Sequence, residues 1–96
     1  MNKILLSAGS NSPQSINRML INYTAGLISS SSTTILHLAE YPLPLYGAEI
    51  EKKDGAPENA KKLLEIITQH DAFIFAVPEH NGSLPAFFKN VLDWIS

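Results

Sequence analysis

Cysteine is absent from all 96 residues, which removes disulfide scaffolds, thiolate metal sites and thiol redox chemistry together. Excess positive charge is missing too: seven Lys and Arg stand against nine Asp and Glu, a net charge of −2. A nucleic-acid binder needs a dense cationic footprint to displace counterions from phosphates, so no nucleic-acid partner is expected. No apolar run approaches the roughly 20 residues a membrane helix needs. The opening Met1-Asn2-Lys3-Ile4-Leu5-Leu6 is soon interrupted by Ser7 and Gly9 and falls short of a secretory signal. A soluble cytoplasmic protein without a membrane partner is expected. Neither a Walker loop ending in Gly-Lys-Ser/Thr nor a Gly-x-Gly-x-x-Gly fingerprint occurs, which argues against ATP hydrolysis and a dinucleotide-binding Rossmann site. His37, His70 and His80 lack metal-ligand spacing, so no metal is expected.

What is present is 45% hydrophobic and 17% charged, the composition of one folded domain. Lys3 to Ala8 is a short apolar run with consecutive Ile4, Leu5 and Leu6, the pattern of a strand buried on both faces of a parallel sheet. Ile16, Met19, Leu20, Tyr23 and Leu27 then recur at helical spacing and predict a helix with those residues facing the core. Ser15 is placed to cap it. The serine run from Ser29 to Ser32 reads as a helix-breaking, solvated turn. Thr33 to Leu38 is β-branched and apolar, a second strand holding His37. The Pro-rich stretch Glu40 to Gly47 fits neither helix nor central strand, and a polar segment runs on to Gly55. Pro57 opens a second helix with Ala60, Leu63, Leu64 and Ile67 inward. Ala72 to Val77 is the most continuous apolar run and reads as the central strand. Pro85 begins a third helix bearing Phe87, Phe88, Val91, Leu92 and Ile95 on one side. The order β-α-β-α-β-α defines an α/β fold with a parallel sheet and right-handed crossovers.

In open parallel sheets ligands sit beyond the carboxyl ends of the strands, which leaves three loops to carry a site. The first, Gly9 to Ser15, offers Gly9 for close backbone approach, and Ser10, Ser12, Ser15 and Asn17 as neutral donors at a helix N-terminus. That combination suits a phosphate, although taken alone it fits a plain turn with a cap better. The third loop is Pro78-Glu79-His80-Asn81-Gly82-Ser83-Leu84-Pro85. Asn81-Gly82 is a hairpin signal, but the helical pattern downstream makes this a strand-to-helix loop. Its Gly82 permits a tight bend with free backbone N–H groups, suited to the polar edge of a flat heteroaromatic ring.

The third loop, followed by Lys89-Asn90-Val91-Leu92-Asp93-Trp94, resembles the signature of the NADPH-dependent FMN reductase family. That family's loop usually reads Pro-Glu-Tyr-Asn-Gly-Ser-x-Pro-Gly and continues Leu-Lys-Asn-Ala-x-Asp-Trp. The first loop is similar to its Gly-Ser-x-Arg-x-x-Ser-x-Asn phosphate motif through Gly9, Ser10, Ser15 and Asn17, and Leu43-Pro44-Leu45-Tyr46 is similar to its Leu-Pro-x-Tyr stretch. The resemblance implies a flavodoxin-like three-layer sandwich with strand order 2-1-3, FMN as cofactor and NADPH or NADH as co-substrate. It implies a small-molecule electron acceptor: a flavin, quinone, azo compound or metal oxyanion. It further implies a homodimer or homotetramer.

Carried across residue by residue, the resemblance puts the FMN phosphate on Ser10, Asn11, Ser15 and Asn17. It puts the isoalloxazine ring against Pro78, Glu79, His80, Asn81, Gly82 and Ser83. Asn11 is read at the motif's usual arginine and His80 at its usual tyrosine. The flavin carries the chemistry in this family, so no catalytic side chain is assigned and Glu79 is not needed as a base. A flavodoxin-like sheet has five strands, and the chain accounts for the first three. Residues 1–96 are thus expected to be the N-terminal part of such a domain, with strands 4 and 5 missing and the third strand left as an edge. The alternatives are a non-catalytic half-domain or a flavodoxin-type electron carrier.

Overall fold

The computed structural model describes residues 2–28 and 32–96. Its elements are β1 (Lys3–Ala8), α1 (Ile16–Leu27), β2 (Ser32–Leu36), a 3₁₀ turn (Leu38–Glu40), α2 (Ala48–Asp54), α3 (Glu58–Thr68), β3 (Ala72–Ala76) and α4 (Ala86–Ile95). The three strands form one parallel sheet in the order β2-β1-β3, as the fold reading required. Within the described sheet the central strand is β1, not Ala72 to Val77. Leu5, Leu6 and Ser7 of β1 are buried, and Ser7 donates its hydroxyl to the Leu36 carbonyl across the strand pair at 2.6 Å. Phe73, Ile74 and Phe75 of β3 are exposed.

Alternation along β1 separates the layers. Leu5 packs with Leu36, Leu38, Leu63 of α3 and Phe88 and Val91 of α4. The next residue, Leu6, faces the opposite side, where α1 crosses the sheet and buries Ile21.

The sequence pattern of α1 has the right period and the wrong phase. Ile16, Met19, Leu20, Tyr23 and Leu27 are all exposed, Ile16 at 78%, whereas Ile21 is 1% exposed. The half-buried positions Thr24, Ala25 and Ile28 continue the Ile21 side. That side meets all three strands, so the bulky stripe turns away from the described sheet. Ser29, Ser30 and Ser31, read as a breaking turn, lie outside the described residues, and Ser32 already belongs to β2.

Other boundaries moved for identifiable reasons. β2 ends at Leu36, and His37 is the cap residue of the 3₁₀ turn, not a strand residue. The polar segment before Gly55 contains an extra helix, α2, making the order β-α-β-α-α-β-α. Glu49 and Glu51 occupy its first turn and Lys52 and Lys53 its last, each sign complementing the helix dipole. Gly55 ends it at φ 73°, a left-handed conformation that glycine adopts without cost from a Cβ. α3 and α4 begin within a residue of Pro57 and Pro85. At the end of α3, His70 Nδ1 lies 2.7 Å from the Ile66 carbonyl, so this nitrogen carries the proton and donates.

The Pro-rich connection is fastened from below. Asn90 of α4 accepts from the Tyr46 N–H at 2.7 Å and donates to the Pro44 carbonyl at 3.0 Å. The Trp94 indole N–H donates to the same carbonyl at 2.7 Å, and its ring meets Tyr46 edge-on at 4.9 Å. Asn59 of α3 donates to the Pro42 carbonyl at 2.8 Å. The Tyr46 phenol donates to Glu51, and this bond holds its pKa above the ordinary value, with desolvation and the charges of Glu51 and Asp93 adding to the shift.

Candidate functional site at the carboxyl ends of the strands

The chain leaves β1 toward β2 on one side and returns as β3 on the other, so the β1–β3 boundary is the topological switch point where α/β sheets open a crevice. Both chemically distinctive loops start there. Ala8 and Ala76 are register partners, and the Gly9 N–H donates to the Ala76 carbonyl at 2.8 Å. The two loop bases are thereby joined one residue beyond the strands.

Gly9 is glycine for a reason the sequence did not disclose. A Cβ there would lie 2.8 Å from Phe88 Cδ1 and 3.2 Å from Val77 Cγ2. On its Cβ side Gly9 is approached closely by Phe88 of α4. Beyond Gly9 the loop is a run of side-chain turns. Ser10 Oγ accepts from the Ser12 N–H (3.1 Å), Ser12 Oγ from the Gln14 N–H (3.4 Å), and Ser15 Oγ from the Asn17 N–H (3.1 Å). The last contact is the expected N-cap. A hydroxyl that accepts from backbone keeps its own O–H to give, so all three serines retain a donor for a ligand. Ser10, Ser15 and Asn17 are half-buried, and Asn11 is exposed.

Arg18 and His37 were missed as a pair. Arg18 is the sole arginine of the sequence. Its guanidinium lies 3.4 Å from His37 Nε2, and both line a recess with Ser10 and Ser12. The two residues are 19 positions apart and meet only because β2 pairs with β1. The spacing of Gly9, Ser10, Ser15 and Asn17 also puts the arginine of the family motif at Ser12, not at Asn11.

The third loop contains the hairpin turn after all. His80 and Ser83 exchange backbone hydrogen bonds at 2.9 and 3.2 Å around Asn81 (φ 55°) and Gly82 (φ 79°). Positive φ at both central residues is the type I′ pattern that Asn-Gly favours. The turn sits inside the strand-to-helix loop. It also consumes amides expected to be free, because the Gly82 N–H donates to the Glu79 carboxylate. The N–H groups of Glu79 and Asn81 have no backbone or side-chain acceptor among the described residues. Pro78 is half-buried; Glu79, His80, Asn81, Gly82 and Ser83 are exposed.

A parallel β2-β1-β3 sheet with a hydroxyl-rich loop at a helix N-terminus, and an amide-bearing turn across the switch point, defines a flavodoxin-like α/β protein with both loops at one end. Residues 2–96 match the NADPH-dependent FMN reductase family, and the chain belongs to it. It is 39% identical over 54 residues to a quinone reductase of Escherichia coli, covering 56% of this chain and 29% of that one. It is 34% identical over 91 residues to a quinone reductase of Pseudomonas putida, covering 94% of this chain and 47% of that one. Among solved structures it resembles a flavoenzyme NAD(P)H:(acceptor) oxidoreductase of Paracoccus denitrificans with a TM-score of 0.77. The identity there is 28%, covering 98% of this chain and 50% of that one. The chain spans about half the length of the curated relatives that it matches along its whole length.

Proposed function

We propose that this chain forms the FMN-holding part of an NAD(P)H oxidoreductase in which hydride passes from NADPH or NADH to FMN. From there reducing equivalents go to a small acceptor: a flavin, quinone, azo compound or metal oxyanion. The observation that carries this reading is the junction of the two loops at the switch point through Gly9 and Ala76. One loop offers hydroxyl donors at a helix N-terminus, and the other offers the Glu79 and Asn81 amides. In this reading Ser10, Asn11, Ser15 and Asn17 hold the FMN phosphate. Pro78, Glu79, His80, Asn81, Gly82 and Ser83 border the isoalloxazine. Bound FMN would supply the hydride chemistry, and these residues would position it. Glu79 serves the turn, with its carboxylate on the Gly82 N–H. A cytoplasmic location and a homodimer or homotetramer complete the reading. Among the described residues no helix is long and apolar enough to cross a membrane.

The test is the visible spectrum of the protein after FMN addition and desalting, followed by NADPH oxidation with a quinone. Retained flavin and acceptor-dependent NADPH loss are expected. No retention at FMN concentrations on the order of tens of micromolar would sink the proposal.

A second reading concerns domain organisation: residues 1–96 form the N-terminal part of a flavodoxin-like domain and are not catalytic alone. The exposed α1 stripe and the exposed Phe73, Ile74 and Phe75 of β3 favour it, since a long apolar edge is ordinarily paired or covered. Sizing separates the cases: a monomer unfolding cooperatively, with no binding of apolar dyes, would argue against this reading.

A further inference from the structure

We propose that Arg18 supplies the positive charge that neutralises the FMN phosphate, and that His37 directs its guanidinium. This inference rests on the FMN reading above and adds a residue outside the matched phosphate motif.

Arg18 is the third residue of α1. Helical side chains lean toward the N-terminus of their helix, which carries this one back toward Ser15. It lines two adjoining hollows at once: the recess with Ser10, Ser12 and His37, and a groove with Ser15 and Asn22. The phosphate loop therefore lies beside a guanidinium that its own sequence does not contain. The lysines lie elsewhere: Lys3 opens β1 at the opposite end, Lys52, Lys53, Lys61 and Lys62 are on α2 and α3, and Lys89 is paired with Asp93.

Placement at that end of a helix is unfavourable for a cation, because the N-terminus already carries the positive end of the dipole. The first turn of α1 contains no acidic residue to offset it. A bound dianion does so, meeting helix dipole and guanidinium together. His37 fixes the geometry. A guanidinium has donors and no acceptor, so in the 3.4 Å contact Arg18 donates and His37 Nε2 accepts. Arg18 gives one N–H to His37 and keeps the remaining N–H groups for phosphate oxygens.

The test exploits the single arginine of the chain: one side-chain Nε–H signal reports Arg18 in a ¹H–¹⁵N spectrum of the whole protein. FMN and inorganic phosphate are expected to move that signal, and riboflavin, which lacks the phosphate, is expected to leave it in place. Arg18→Gln is expected to weaken FMN binding about 10-fold or more, the scale of a lost charge-assisted hydrogen bond, without changing riboflavin binding. Arg18→Lys is expected to recover part of the loss. His37→Ala is expected to give an intermediate loss, and His37→Asn, which keeps an acceptor, a smaller one. If FMN binds while the signal stays fixed and Arg18→Gln binds equally well, the Arg18 proposal falls and the FMN reading stands. If phosphate moves the signal but flavin fluorescence is unaffected, the FMN reading falls and Arg18 remains an anion site. If nothing moves the signal and FMN does not bind, both fall.

Discussion

A methyl group at Gly9 would stand 2.8 Å from Cδ1 and 3.0 Å from Cγ of Phe88, and 3.2 Å from Val77 Cγ2. The ring it meets has little freedom: Phe88 is 6% exposed and packs on Phe75 at a centroid distance of 5.5 Å. Gly9→Ala therefore overpacks the junction of β1 and α4, at a cost of about 1–3 kcal/mol. Alanine also restricts the unfolded chain, which returns roughly 0.4–1 kcal/mol. The expected net loss is about 1–2 kcal/mol, or a fall in Tm of roughly 5–10 °C for a chain this short. Gly26→Ala is the matched control. Nothing lies within 4 Å of a Cβ there, and the residue is helical, so a gain of about 0.5–1 kcal/mol is expected. Urea denaturation of both variants measures the contrast. Combining Gly9→Ala with Phe88→Leu is expected to shrink the cost, since the smaller side chain yields space. A Gly9→Ala protein as stable as the parent, or a cost unchanged by Phe88→Leu, would refute the packing argument.

Asn90→Ala releases both ends of the clamp on the Pro-rich connection and is expected to lose about 1–3 kcal/mol. It is also expected to open Pro42 to Gly47 to limited proteolysis; an unchanged cleavage rate would show that the clamp is dispensable. The Tyr46 phenol is expected to ionise above its ordinary pKa, because the neutral form donates to Glu51. Its contribution to stability is present below the unfolded value near about 10 and is lost as pH rises through the raised one. Alkaline absorbance titration reads this, and Glu51→Gln is expected to bring the ionisation down.

Strand and helix starts were legible where local chemistry decides them. Consecutive apolar residues marked β1, Ser15 marked the head of α1, and Pro57 and Pro85 marked α3 and α4. The β2-β1-β3 order came through resemblance and was found. What was not legible depended on partners. The phase of α1 is set by the side that meets the three strands, Ile21 with Thr24 and Ala25, and hydrophobicity points the other way. α2 carried its own signals, charges matched to the dipole and Gly55 behind them, but its brevity and polarity hid it. At the candidate site, the two loops were legible as turn-rich segments and their internal hydrogen bonds were not. Gly9 serves Phe88, Gly82 serves Glu79, and the Arg18–His37 contact exists only across a strand pairing.

The hydrogen bond from Gly9 to Ala76, with Phe88 pressed against the same glycine, has a consequence for recognition. The two loops share one floor at their bases. A molecule spanning them need not supply the free energy of bringing them together, so more of its contact energy appears as affinity. Loosening that floor would weaken capture without touching any group that contacts the ligand.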